Sequence, residues 1–154
     1  MTALPTRAAT PAPAPLRCTL TAPRNVPVGQ PVMLTFTLRN AGTQALRVLS
    51  WNTPFEGEWF APFVEVTRAG QSLAYAGAMM KRGAPAADEY FTQRPRAART
   101  ARIDLARAFD LRTPGRYTVQ PRLVLFDVGS AASRSNAAPQ SQPLECNPVE
   151  IDLQ

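Results

Sequence analysis

The 154 residues, 45% of them hydrophobic, suffice for one domain with a real core. Seventeen Lys and Arg against 11 Asp and Glu give a formal net charge of +6, which favours loose attraction to anionic surfaces. No apolar run approaches the roughly 18 residues of a membrane span, and the absence of histidine removes the commonest general base and a principal zinc ligand.

Lys81 is the lone lysine; with the many alanines and prolines, the arginine bias reads as the mark of a GC-rich genome rather than a functional signal. Residues 1–15, MTALPTRAATPAPAP, are rich in Pro, Ala and Thr and are expected to form a disordered or extended leader. No signal peptide is visible in them, since they hold no apolar h-region. LRCTLTA alternates, with Leu16, Cys18 and Leu20 on one face, and PRNVPVGQP turns the chain. In VMLTFTLRN, Val32, Leu34, Phe36 and Leu38 point inward and Met33, Thr35, Thr37 and Arg39 outward, the period of a half-buried strand. Asn40-Ala41-Gly42 turns into a third strand, ALRVLSW, which runs into the aromatic stretch WNTPFEGEWF at 51–60.

FVEVTRAGQSLAYAG reads as a hairpin: Val64 and Val66 lead in, Arg68 to Gln71 turn, and Leu73 and Tyr75 return. MMKRGAPAADEY is expected to be a long loop, RTARIDL a strand, and ARAFDLRTPG a turn. RYTVQPRLVLFDV reads as one long strand in which Pro121 marks an edge or a bulge. GSAASRSNAAPQSQP is expected to be a flexible loop before PVEIDL, whose Val149, Ile151 and Leu153 share a face. No segment sustains a helical period. Seven or eight short strands imply an all-β, immunoglobulin-like antiparallel β-sandwich over residues 16–154. Tyr117, just after the Pro114-Gly115 turn, fits the tyrosine corner of such domains; the alternative is an ordinary strand tyrosine with its ring on the core.

Cys18 and Cys146 lie near opposite ends of the strand-rich part. Two thiols without histidine are too few for a metal site. A disulfide joining the first and last strands is favoured, with two buried free thiols as the alternative. Cys146 is out of phase with Val149, Ile151 and Leu153, so Pro148 would have to mark a bulge. The disulfide implies an oxidising compartment, periplasmic or secreted.

In WNTPFEGEWF, Trp51 follows a strand directly and is expected to be structural, packed between sheets. Phe55 sits between the Pro54 and Gly57 bends, and Trp59 and Phe60 lie beyond both, where they are expected to form the exposed side of the cap. The three rings are read either as an internal cap against the Tyr75, Met79 and Met80 segment or as a candidate partner face of Phe55, Trp59, Phe60, Met79 and Met80 rimmed by Lys81 and Arg82. Arg94, Arg96, Arg99 and Arg102 form a basic run that admits an anion patch. Without interleaved aromatics, a solvated turn and outer strand face is the better reading. No G-x-S-x-G elbow, P-loop or G-x-G-x-x-G is present, and Asp88-Glu89 and the Glu56/Glu58 pair read as solvated loop acids. No catalytic residue, metal or cofactor is therefore expected.

Several stretches in order resemble the non-catalytic N-terminal region of deuterolysin-type (aspzincin) zinc metalloproteases. They are the N-x-G turn at Asn40–Gly42, W-x-T-P-x-E-G at 51–57, Y-x-G with K-R-x-x-P at 75–85, and D-L-x-x-x-x-D with P-G-x-Y-x-V at 104–119. The resemblance covers about residues 30–125 and implies an immunoglobulin-like β-domain that sits beside a protease domain. That family's catalytic domain carries an H-E-x-x-H helix and a further Asp as zinc ligands, and no residue of this chain matches them. The resemblance implies a binding module for a cognate metalloprotease, as inhibitor, folding assistant or docking domain. The alternative is a structural or adhesive cell-envelope protein of the same fold. No specific nucleic acid is expected as a partner, and the oligomeric state is open.

Overall fold

Alternation of apolar and polar side chains builds the longer strands of this chain. The computed structural model describes residues 13–132 and 138–154. Along them run β1 (Leu16–Thr21), β2 (Asn25–Val26), β3 (Met33–Asn40), β4 (Leu46–Leu49), β5 (Val64–Arg68), β6 (Gln71–Ser72) and β7 (Tyr90–Gln93). There follow β8 (Ala98–Asp104), β9 (Gly115–Pro121), β10 (Leu123–Leu125), β11 (Val128–Ser130), β12 (Gln142–Leu144) and β13 (Val149–Leu153). Among the described residues, helix is confined to three-residue 3-10 turns at Pro54–Glu56, Ala87–Glu89 and Leu105–Arg107.

The strands form an immunoglobulin-like β-sandwich. One layer is the antiparallel sheet β1-β3-β8. The other is β2-β13-β9-β5-β6, antiparallel except where β2 meets β13. β4 pairs with β7 and β11 in a third sheet, and β10 with β12 in a ribbon. The inward residues of β3 (Leu34, Phe36, Leu38) share one core with Val66, Tyr117, Val119 and Ile151 of the opposite layer. Phe36 meets Phe63 edge-to-face, with centroids 5.8 Å apart.

Two polar devices hold the layers in place. Asn40 and Gln93 are buried, yet their amide groups are satisfied. Asn40 Nδ2 donates to the Gln93 and Gln44 carbonyls, and Gln93 Nε2 donates to those of Leu38 and Ala97. These bonds join the β1-β3-β8 sheet to the β4-β7 pair. Tyr117 is buried and its hydroxyl donates 2.7 Å to the Thr113 carbonyl, four residues upstream, the geometry of a tyrosine corner.

Cys18 and Cys146 form a disulfide across a sequence separation of 128. Beside it, Asn147 takes the place of a strand partner for β1: its Oδ1 accepts from the Leu20 N–H (2.9 Å) and its Nδ2 donates to the Leu20 carbonyl (2.8 Å). The phase conflict with β13 vanishes because Cys146 and Asn147 lie between β12 and β13, where the alternation restarts. Gln142 makes a similar two-way pair with the backbone of Ala14. The expected leader falls largely on residues 1–12, outside the described residues.

Three expectations are corrected. The long strand expected over 116–128 is broken twice. Pro121 ends β9, the Arg122 N–H turns to the Phe63 carbonyl, and β10 and β11 join other partners. The loop expected over 79–90 ends at Tyr90, the first residue of an unforeseen strand, β7, paired with β4. The loop expected over 129–143 contributes residues to β11 and β12, and its residues 133–137 lie outside the described residues.

Replacing both Cys18 and Cys146 with Ser is expected to lower the unfolding free energy by about 5 kcal/mol on the chain-entropy account, read from urea denaturation of the oxidised parent and the variant. Tyr117→Phe removes one buried hydrogen bond and is expected to cost about 1–2 kcal/mol; an unchanged midpoint would exclude the corner bond as a stabilising contact.

Candidate functional site

The aromatic stretch is shaped by a tight turn. Thr53 is buried; its Oγ1 accepts from the Phe55 N–H and donates to the Ser50 carbonyl. Pro54 opens the 3-10 turn, and Gly57 closes it at φ +83°, a conformation that favours glycine. The chain is thereby sent back toward the sandwich.

As a result Trp59 enters the core. It is 6% exposed, stacks on Phe63 at 4.2 Å, and meets Phe109 edge-on at 6.0 Å. Its Nε1–H donates 2.9 Å to the carbonyl of Asp104. The expectation that Trp59 forms the exposed side of the cap is therefore corrected: the Pro and Gly bends turn it inward. The expectation that Trp51 packs between the sheets is corrected too: it lies outside the core cluster, half-buried at the cap, with the Arg82 guanidinium 5.2 Å from its ring centroid.

Arg82 organises the outer layer. Its Nη2 donates to both oxygens of Glu56, at 2.6 and 2.8 Å, and to Asn52 Oδ1 at 3.2 Å. Glu56 also accepts from the Asn52 N–H, so it is no solvated loop acid. The guanidinium lies near the faces of Trp51 and Phe60. Both charged side chains are mostly buried, at 16% and 11% exposure, so removing one strands the other. The Met80 N–H donates to the Phe60 carbonyl, which stitches the two segments together. Tyr75 hydrogen-bonds the Ala78 carbonyl at 2.6 Å, and burial raises its phenol above the ordinary value. A Cβ on Gly77 would lie 2.5 Å from that hydroxyl.

The expected partner face is divided by this packing. Trp59 belongs to the core, Arg82 to the ion pair, and Phe55 packs beside Phe91 at 5.6 Å. Phe60 is half-buried, while Met79 (72% exposed), Met80 (45%) and Lys81 form an outward tip. Next to the cap, a cleft of about 480 Å³ is bounded by Trp59, Met33 and Ile103 and rimmed by Glu58, Arg102 and Arg107. Asp104 borders it, but its Oδ1 already accepts from the Val32 and Ala106 N–H groups. The basic run does not converge on one point. Arg99 stacks over Phe91, the Arg96 carbonyl accepts from Arg39, and Arg102 lies exposed on β8. Among the described residues no three His, Cys, Asp or Glu side chains gather to hold a metal. The Asp110 carboxyl, lowered to about 2 chiefly by the Arg112 side-chain hydrogen bond, sits exposed on a loop.

The residues that carry the family resemblance thus act on structure. Thr53, Pro54 and Gly57 shape the turn, Glu56 and Arg82 pair, Gly77 makes room for Tyr75, Asp104 caps a turn, and Tyr117 forms the corner.

No family model matches this chain. An extracellular protease of Aeromonas hydrophila is 29% identical over 120 residues, which make up 78% of this chain and 33% of the protease. The chain therefore spans about a third of that relative's length. Among solved structures, the CARDB domain of a Pyrococcus furiosus protein is similar at 12% identity, with 86% of this chain and 94% of that one covered and a TM-score of 0.33. PapD-like domain 7 of human CEP192 is similar at 13% identity, with 99% and 91% covered and a TM-score of 0.33. The disulfide and the extracellular protease relative are consistent with an extracellular location.

Trp59→Ala is expected to cost about 3–5 kcal/mol of stability, whereas Trp51→Ala is expected to cost about 1–2 kcal/mol. Urea denaturation of both variants checks the order; a larger loss for Trp51→Ala would reverse the assignment of the two rings.

Proposed function

We propose that this chain is a non-catalytic immunoglobulin-like module that acts on an extracellular metalloprotease of deuterolysin type. Its act is to bind that protease as inhibitor, folding assistant or docking domain. The observation that carries the reading is the 120-residue match to about a third of an extracellular protease. The quoted motifs support it, because a scaffold shared with a protease-attached domain would keep the residues that shape the turn, the ion pair and the corner. The sequence holds no histidine from which a zincin site would be built, so the catalytic step falls to the partner. The exposed Met79-Met80-Lys81 tip offers flexible, polarisable side chains suited to a protein contact.

The test supplies the chain in trans to the Aeromonas hydrophila protease expressed without its matched segment. Casein hydrolysis, refolding yield and gel-filtration elution are followed with increasing amounts of this chain. The expected result is a complex, together with either inhibition of casein cleavage or a higher yield of active protease. No complex and no change in either activity at tenfold molar excess would count against the reading. Alone, the chain is expected neither to hydrolyse casein nor to retain zinc by elemental analysis.

A further inference from the structure

The two layers of the sandwich carry their charge differently. On the outer face of β2-β13-β9-β5-β6, Arg116 pairs with Asp152, and Arg122, just past β9, pairs with Glu65. On the outer face of β1-β3-β8 the strand registers put Arg17 directly beside Arg39. Thr19, Thr37 and Thr100 form the next row, and Thr21, Thr35 and Arg102 the one after. None of these arginines meets a carboxylate among the described residues; Arg39 donates only to the Arg96 carbonyl. The acid on this face, Asp104, is occupied by two backbone N–H groups. Like charges opposed on neighbouring strands are destabilising, so Arg17 beside Arg39 is a local cost that a bound anion would relieve.

The face also lacks what other partners need. It has no aromatic ring on which a base would stack. It has no apolar centre of the kind a protein interface buries, Met33 at one end being its large apolar residue. For the same reason it has nothing to insert into a bilayer. What it offers is a flat array of hydroxyls between two cationic ends, four residues or about 14 Å apart along the strands. A shallow depression of about 310 Å³ beside Thr21, Thr35 and Arg102 gives a ring-sized seat at one end. Guanidinium groups bind acid groups through paired N–H donors, and threonine hydroxyls both donate to and accept from sugar hydroxyls. We propose that the outer face of β1-β3-β8 binds an acidic polysaccharide, with Arg17, Arg39 and Arg102 on its acid groups and the threonine rows on its hydroxyls. This does not rest on the protease reading and concerns a different surface from the Met79–Lys81 tip.

The test compares two variants of equal net charge. Arg17→Gln/Arg39→Gln/Arg102→Gln empties the face. Arg112→Gln/Arg116→Gln/Arg122→Gln removes three arginines that already have carboxylate partners. Binding is measured to heparin and to polygalacturonate, with dextran as the neutral control. Duplex DNA, polyglutamate and phosphatidylglycerol vesicles represent the other classes of partner. The parent is expected to bind at least one acidic glycan in a salt-sensitive way and to ignore dextran. The first variant is expected to lose about tenfold or more in affinity and the second less than about twofold. The first variant is also expected to keep or raise its Tm, because it relieves the Arg17–Arg39 repulsion, so a loss of binding is not a loss of fold. Equal losses in the two variants would reduce the effect to net charge and overturn the proposal. So would tighter binding to DNA, polyglutamate or vesicles than to either glycan, or no binding to either glycan at low salt.

Discussion

The hydrogen bond from the Trp59 indole to the carbonyl of Asp104 fixes the cap to the sandwich. A tryptophan brings a large apolar ring and one polar hydrogen that must find an acceptor once buried. Here the acceptor is the last residue of β8, so the ring can sit deep without an unsatisfied donor. Its faces and edges then gather Phe63 ahead of β5, Tyr75 beyond β6, and Phe109 after the turn that follows β8. Burying a ring of that size removes 150–250 Å² from water, a contribution of about 4–6 kcal/mol at the usual area coefficient. The Glu56–Arg82 pair, the Tyr75 bond and the exposed methionines are arranged on top of that anchor.

Period-two alternation made the sandwich itself legible. β3 shows why: its burial follows its sequence residue by residue, Leu34, Phe36 and Leu38 inside, Thr35, Thr37 and Arg39 outside. Tyr117 was legible for a different reason, since a tyrosine after a Pro-Gly turn has few roles in such a fold. β7 was hidden because its buried position is a glutamine, Gln93, whose amide replaces missing backbone partners and so reads as polar loop. β12 was hidden by Pro143 and by its brevity. At the candidate site the sequence supplied the right residues with the wrong polarity. Trp59 looked outward because it lies past two bends, yet a 3-10 turn closed by a left-handed glycine reverses the chain rather than releasing it. The partnership of Glu56 with Arg82 crosses 26 residues and has no local signature.

Family-like motifs and surface chemistry separate cleanly in this molecule. The motif residues lie in turns, caps and buried pairs, where a substitution changes shape before it changes any contact with another molecule. The arginines of the β1-β3-β8 outer face fall on outward strand positions, where packing makes no demand on residue type. A resemblance built on the first set reports on scaffold, and whatever distinguishes this chain from its relatives in binding has to be sought in the second set and in the Met79–Lys81 tip.

The disulfide also sets a timetable. A chain made from its N-terminus exposes Cys18 well before Cys146 exists, with 128 positions between them, or roughly 6–26 s at typical synthesis rates of 5–20 residues per second. During that interval β1 can pair with the nearby β3, yet that pairing occupies the strand edge and leaves the inward face, with Cys18 on it, uncovered until the opposite layer packs. An oxidant that acts before Cys146 arrives finds a single thiol, and its product is a mixed disulfide with another molecule. Until Cys146 is made, Cys18 is therefore a lone thiol, and keeping oxidant away from the unfinished chain is what spares it from cross-linking to the wrong neighbour.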